Sequence, residues 1–395
     1  MITLNILIFS EMFPKKNNPS SGIFIIERLK ELNKINDIKY DFIPISTEDN
    51  LIMKTLKKAR NIKPLILPNK IQVEARSFIP LKVKLSTIDR LGILKNIPKY
   101  WIKYASKMAN EIIKKVDIDY DIIHAHRVFP EGYAAYLINK KYNIPYIITA
   151  HGGEIHSISN KYYEIINLIF NNASKIIFVS EALRKIALNI FDIKEEKTVV
   201  IPNGYNQNIF KPYDKNEIRK ELGIYKKNYN YVGFVGNLIP IKRADKLPDI
   251  FNLIGIKNTK FIVVGDGYLR NEIENKTKNL DILFTGRVSQ NDVAKYMNAM
   301  DIMILPSRNE GWPCVVLEAQ ACGTDVIGSN NGGIPEAIGF EEYIVEDDDN
   351  FEYRFAKRVR EVLKNGYDRN KIIDRAKEFT WENIVDKEIN IYNKI

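Results

Sequence analysis

Cysteine is nearly absent from this chain: Cys314 and Cys322 are the only two among 395 residues. They cannot build a disulfide framework, and a reducing compartment is the natural reading. Histidine is as scarce, with four residues, all between His124 and His156. No uninterrupted apolar run reaches about 18 residues, so no transmembrane helix is expected. The opening MITLNILIFSEMFP lacks a charged n-region and is too short to span a bilayer, so it reads as a first strand and not as a signal peptide. Missing motifs exclude further classes. There is no Gly-Lys-Ser/Thr P-loop, and the Gly265-x-Gly267 pair lacks the third glycine of the dinucleotide fingerprint, Arg270 standing in its place. The histidines show no His-Glu-x-x-His pattern and no nearby cysteine, so a metal site is not expected. Asp347-Asp348-Asp349 reads as a solvated loop, which leaves no convincing carboxylate set for a catalytic divalent cation.

Hydrophobic residues at 45% and charged residues at 27% describe a folded chain long enough for two ordinary domains. The net charge of +10 is concentrated. Residues 51–115 hold 16 Lys/Arg against three acids, a net +13, while the remainder holds 43 against 46, a net −3. In that segment lysines alternate with apolar residues, as in ILKNIPKYWIKYASKMANEIIKK. Solvated helical faces and attraction to an anionic membrane surface or phosphorylated lipid both fit. Nucleic acid does not, because no recognition module accompanies the charge.

Short apolar runs alternate with helical segments throughout, which predicts doubly wound parallel sheets. Strands are predicted at 5–9, 40–46, 71–78, 120–127, 144–150, 175–180 and 198–202, and again at 231–236, 261–265, 282–286, 301–306, 325–328 and 343–346. Between the two sets, residues 203–214 (NGYNQNIFKPYD) are rich in Asn, Pro and Gly and read as a linker. The predicted domains are 1–204 and 205–373, with a helix over about 374–395 packing back on the first. Ligands of such sheets bind outside the carboxyl ends of the strands, so two domains facing each other would enclose a cleft.

The most informative stretch is 301–336, DIMILPSRNEGWPCVVLEAQACGTDVIGSNNGGIPE. Its apolar start reads as a buried strand, followed by a polar loop and an apolar helix that Gly323 ends. Glu310 and Glu318 bracket the turn into that helix, at most about 12 Å apart along the axis if all the residues between them were helical. The helix-start amides around Cys314 and Val315 would form an anion site between the two carboxylates. A ligand with hydroxyls at both ends and phosphates in the middle fits, as nucleotide-sugars do. Elsewhere the signals are weaker. Ser20-Ser21-Gly22 precedes a helix and on its own reads as an ordinary strand–loop–helix turn. Gly236 and Asn237 end a strand, with Lys242 and Arg243 before the next helix, where cations could meet a diphosphate. His124 and His126 share one face of a strand. His151 opens HGGE after the next strand and is the best candidate for a ligand-facing histidine, with His124 and His156 read as structural.

Together these residues resemble the family 4 glycosyltransferases, retaining enzymes with the α/β GT-B fold of two doubly wound Rossmann-like domains facing a central cleft. The resemblance rests on Pro306-Ser307-x-x-Glu310-Gly311, Val316-Leu317-Glu318-Ala319, Cys322-Gly323-Thr324 and Gly332-Gly333-x-Pro335-Glu336. Supporting matches are Ile123-His124-Ala125-His126, Thr149-Ala150-His151-Gly152, Ile201-Pro202-Asn203-Gly204 and Trp381. It implies transfer of a hexosyl group from a UDP- or GDP-linked donor to a lipid-linked or cell-surface glycan. A soluble acceptor, an epimerase or hydrolase on the same fold, and a non-catalytic binding subunit are the alternatives. No cofactor and no catalytic metal are implied, and the expected place is the cytoplasm, peripheral on the inner face of the membrane. By the same resemblance, Glu310 binds donor-sugar hydroxyls beside the anomeric carbon, with Gly311 and Trp312 next to it. Glu318 takes the ribose hydroxyls, and the amides from Cys314 and Val315 to Val316 meet the diphosphate. Lys242, Arg243 and Asn237 line the diphosphate region, Gly22 approaches it, and Arg287 and Val288 lie near the base. His151 touches the donor sugar and His126 lies on the acceptor side. Three positions depart from the pattern: Asn237 stands where many members carry arginine, Asp325 where proline is common, and Trp312 where Phe is frequent.

Overall fold

Unbroken apolar runs form strands that are covered on both faces, as parallel sheets require. The computed structural model describes residues 3–48, 51–59, 66–156 and 160–395. The chain divides into a first unit of Met1–Pro202 with Val385–Ile395 and a second unit of Asn203–Ile384. In the first unit β1 (Leu4–Ser10), β2 (Ile38–Glu48), β5 (Leu81–Lys84), β6 (Ile122–His126), β7 (Tyr146–Ala150), β8 (Lys175–Phe178) and β9 (Thr198–Val200) form one sheet in the order β5-β2-β1-β6-β7-β8-β9. Every pairing in it is parallel, for example Ile8 beside Phe42 on one side and beside His124 on the other. In the second unit β10 (Asn230–Val235), β11 (Thr259–Val264), β12 (Ile282–Gly286), β13 (Ile302–Leu305), β14 (Asp325–Ser329) and β15 (Ile344–Val345) pair in the order β12-β11-β10-β13-β14-β15, again all parallel. The two faces of this second sheet carry separate apolar clusters, one around Phe210, Tyr231 and Met300 and one around Phe234, Phe251 and Phe355. Both units are thus doubly wound, Rossmann-like sheets. In each, strand order reverses at one place: between β1 and β6, and between β10 and β13. Such switch points are where open α/β sheets bind ligands.

Two expectations are corrected. The single strand predicted over 71–78 is an antiparallel hairpin, β3 (Ile71–Val73) with β4 (Arg76–Phe78), turned at Glu74 with φ 51°. It stands outside the main sheet, whose edge is formed instead by β5, an unpredicted strand. β5 reads Leu-Lys-Val-Lys, and the alternating lysines of an exposed edge hide it from a search for apolar runs. The stretch 203–214 is not a free tether. Tyr205 and Phe210 are buried, Tyr205 N donates to Phe379 O at 3.0 Å, and Asp214 caps the Lys215–Glu221 helix by accepting from Glu217 N. At the carboxyl end, the helix Trp381–Tyr392 begins in the second unit, and Val385–Ile395 are counted with the first.

Asp325, the departure from the family's proline, opens β14 fully buried, and burial pushes its carboxyl up to about 7. A carboxyl raised in the folded state holds its proton there more tightly than in the unfolded chain. Its contribution to stability therefore falls as pH rises from about 4 to about 7. Asp325→Asn removes that slope, so its melting temperature relative to the parent is expected to be higher at about pH 8 than at about pH 5. An offset that does not change with pH would contradict this.

Candidate functional site

Lys242 and Glu310 leave the ends of β10 and β13, the neighbouring strands at the second unit's switch point. Lys242 closes the short turn Pro240–Lys242, and its ammonium donates to Glu310 Oε1. Ser307 Oγ donates to the same oxygen at 2.9 Å. The two side chains keep 25% and 11% exposure, so the pair is open to a ligand from one side. Arg308 fixes the two loops against each other. Its backbone N–H donates to Ile241 O at 2.8 Å, and its guanidinium grips both oxygens of Asp245 at 2.8 Å each. A bidentate pair of this kind sets orientation as well as distance. Gly332 completes the frame. It has φ 56°, a Cβ there would stand 2.2 Å from Glu310 O, and Gly333 N donates to that carbonyl at 2.9 Å. The Gly-Gly-x-Pro-Glu motif thus lets one loop lie directly against the backbone of Glu310.

Helix Cys314–Ala321 begins four residues after Glu310, behind Pro313, and no side chain caps it. Its first amides, at Cys314 and Val315, precede the helix's own hydrogen-bond ladder, and the positive end of the helix dipole lies there. One turn on, Glu318 has no side-chain hydrogen bond among the described residues. Burial pushes its carboxyl up to about 7. A partly buried carboxyl without protein donors is chemically ready to accept hydroxyl donors from a ligand. No group of three or more His, Cys, Asp or Glu able to hold a metal ion occurs among the described residues.

The other expected residues of this unit are placed less uniformly. Asn237 is exposed two residues after β10. Arg287, exposed, and Val288, packed on the apolar cluster, follow the far edge strand β12, two strands from β10. Arg243, expected at the diphosphate, is buried. Its guanidinium donates to Asp347 Oδ2 at 2.6 Å and lies 4.1 Å from the centre of the Phe351 ring. Residues 347–349 form an exposed loop, as read from the sequence, and within it Asp347 also accepts from Asn331 at 2.8 Å while the Arg243 guanidinium holds its carboxyl below the usual range. Trp312 beside Gly311 turns its indole N–H to Asn203 O at 2.9 Å and its ring to Phe379, so the indole braces the loop.

In the first unit, Gly22 (φ 63°) precedes the helix Ile23–Leu32, and a Cβ there would stand 2.4 Å from the Met12 backbone, so the chain's own packing requires glycine. His124 is structural, its two ring nitrogens standing 2.7 Å from Tyr392 Oη and 2.7 Å from Thr149 Oγ1. His126, expected on the acceptor side, is instead fully buried behind His151, its Nδ1 3.3 Å from His151 Nε2 and 3.5 Å from an Arg28 nitrogen. His151 itself is half-buried, its ring against Phe24. Burial and the Arg28 charge hold its pKa well below the usual value, so the imidazole is neutral at ordinary pH.

Two arrangements escaped the sequence reading. Arg28 forms a fully buried ion pair with Glu388 at 2.9 Å, which ties the carboxyl-terminal helix to the histidine cluster. At the β1–β6 switch point, Glu11 takes hydrogen bonds from Tyr104 and from Arg127 (3.0 Å), and Arg127 also grips the buried Glu131 at 3.1 Å. Burial pushes Glu131 up to about 7 and Lys15, beside Glu11 O, down to about 7. The one available signal was that Glu11 and Arg127 each stand directly after a strand.

The sequence matches two family descriptions. Residues 214–379 fit the glycosyl transferases group 1 model and residues 81–208 the Glycosyltransferase Family 4 model. The Bacillus subtilis strain 168 glycosyltransferase TuaC, assigned to teichuronic acid biosynthesis, is 27% identical over 358 residues, 87% of this chain and 85% of its own. The N-acetyl-alpha-D-glucosaminyl L-malate synthase of Bacillus anthracis is 28% identical, covering 77% of this chain and 80% of its own. Anabaena HepE, solved with UDP and glucose, superposes with a TM-score of 0.69 over 99% of this chain and 100% of that one, at 18% identity. HepE bears on the fold alone, and the two family models with the two Bacillus relatives show that the chain belongs to the family 4 glycosyltransferases.

Proposed function

We propose that this chain moves a sugar from a UDP- or GDP-linked donor to a hydroxyl of a lipid-linked or cell-surface glycan, retaining the anomeric configuration. One observation carries the reading: the Lys242–Glu310 pair stands at the second unit's switch point, followed by the start of the helix Cys314–Ala321 and by Glu318, whose side chain has no hydrogen bond among the described residues. Glu310 holds donor-sugar hydroxyls, and Glu318 takes the ribose. The diphosphate lies at the amides of Cys314 and Val315 and at Lys242, with Arg287 and Val288 towards the base. The roles of Gly22 and His151 at the donor belong to the same proposal. In the reaction the bond from the anomeric carbon to the diphosphate oxygen breaks, the acceptor oxygen bonds to that carbon, and the departing phosphate takes the acceptor proton. Such a step depends on stabilising the leaving group more than on a protein base. That matches a site offering an ammonium and helix amides. Arg243 is committed to Asp347, which leaves Lys242 as the cation of this loop for the diphosphate.

A glycan acceptor is supported by the named role of TuaC and by the basic segment 51–115. A soluble acidic acceptor is the second reading, favoured by the L-malate in the name of the Bacillus anthracis relative. A thermal-shift panel of UDP, GDP and their sugar conjugates tests the donor side. One nucleotide family is expected to raise the melting temperature by a few degrees, since a saturating ligand stabilises by roughly 3 kcal/mol at a hundredfold excess over Kd. No shift with any of them would remove the reading.

A further inference from the structure

The helix Thr87–Leu94 is amphipathic in the inverted sense. Its inner face carries the polar and the small residue. Asp89 is 1% exposed, exchanges hydrogen bonds with Ser86 in a capping box, and receives Lys103 at 2.7 Å and Lys107 at 3.4 Å. Gly92 is pressed so closely on the Tyr100 ring that a Cβ would stand 1.9 Å from it. The outer face carries the large aliphatics: Ile88 is 67%, Leu91 37% and Leu94 56% exposed. Recurring every third residue, the three share one side of the helix. The neighbouring helix Leu51–Ala59 adds Ile52, 57% exposed. Exposed Lys54, Lys58, Lys95 and Lys99 lie on or next to these two helices, within the segment that carries a net charge of +13.

We propose that Ile88, Leu91 and Leu94, with Ile52 and the lysines around them, dock this protein on an anionic lipid bilayer. Charge decides between partners. A second copy would bring one +13 segment against another, whereas a phosphatidylglycerol-rich leaflet offers the opposite charge to the lysines and hydrocarbon to the aliphatics. Neither signal is strong alone, and together they give reversible surface attachment. No described helix is long and apolar enough to cross a membrane. The proposal deepens the lipid-linked acceptor reading and rests on it for its purpose, although vesicle binding is measured without donor or acceptor.

Flotation of the full chain with phosphatidylglycerol-containing vesicles and with pure phosphatidylcholine vesicles, at low and high salt, tests it. Binding is expected only to the anionic vesicles and weaker at high salt. The variant Ile88→Ser/Leu91→Ser/Leu94→Ser is expected to lose about tenfold in vesicle affinity while keeping its melting temperature and its nucleotide-induced thermal shift, because all three side chains are solvent-exposed. No flotation of the parent at low salt, or equal flotation of parent and variant, overturns the proposal. So does a self-association in sedimentation that the variant abolishes, which would assign the face to a second copy. Loss of vesicle binding with an intact nucleotide shift separates failure of this surface from failure of the donor reading.

Discussion

Glu310→Ala is expected to lower kcat by about 10²–10³-fold with little change in melting temperature. Lys242→Ala should do the same. The two side chains form one unit: the Lys242 ammonium donates to Glu310 Oε1, Ser307 steadies that oxygen at 2.9 Å, and the Arg308–Asp245 clamp holds the two loops together. Removing the carboxylate leaves the ammonium without its anchor. On the proposed function, removing the ammonium deprives the leaving diphosphate of its preorganised charge. Because residues that act as a unit are not additive, the double variant should be little worse than either single one. The pair is partly solvated, so its net worth to stability is small, and activity and folding are separable here. Initial rates at saturating donor, read beside thermal melts, check the expectation. Full activity in a folded Glu310→Ala protein would contradict it.

The largest expected effect on stability lies far from that loop in sequence. Arg28 and Glu388 are both fully buried, 2.9 Å apart, and burial pushes Glu388 upward while the Arg28 charge pulls it back. Glu388→Ala leaves a guanidinium in the protein interior without its counter-charge. Breaking a buried pair in this way costs about 3–5 kcal/mol, whereas replacing both partners by apolar side chains of similar volume is often close to neutral. Glu388→Ala should therefore unfold at markedly lower denaturant, and Arg28→Met/Glu388→Leu should recover most of the loss. A double variant as unstable as the sum of the single ones would show that the two charges are not coupled. The pair sits one contact from His126, which in turn contacts His151, so Glu388→Ala should also weaken any contribution His151 makes to turnover.

Most of the sheet architecture was legible because covered parallel strands announce themselves as continuous apolar runs, as β6, β7 and β13 do. The exceptions have local causes. The hairpin β3–β4 shows the same apolar pattern as one strand, its turn marked only by Glu74 and Ala75. β5 hides behind edge lysines. Residues 203–214 have a linker's composition, yet two aromatics pin them to a core. At the site, Glu310, Glu318 and the helix start were legible because one short stretch of chain holds them all. What pairs with what was not legible. Arg243 and Lys242 are adjacent and alike in sequence, yet one meets Asp347, 104 residues away, and the other meets Glu310. His151 stands out in the sequence as the candidate facing a ligand, but that His126 is fully buried against it appears only in the structure.

The most direct measurement is product analysis with the purified chain, a sugar-labelled donor chosen from the thermal-shift panel, and a membrane extract as acceptor source. The account predicts label in a new glycosidic product whose anomeric configuration matches the donor, dependent on extract and absent with Glu310→Ala. Release of free sugar regardless of extract, or an inverted linkage, would contradict it.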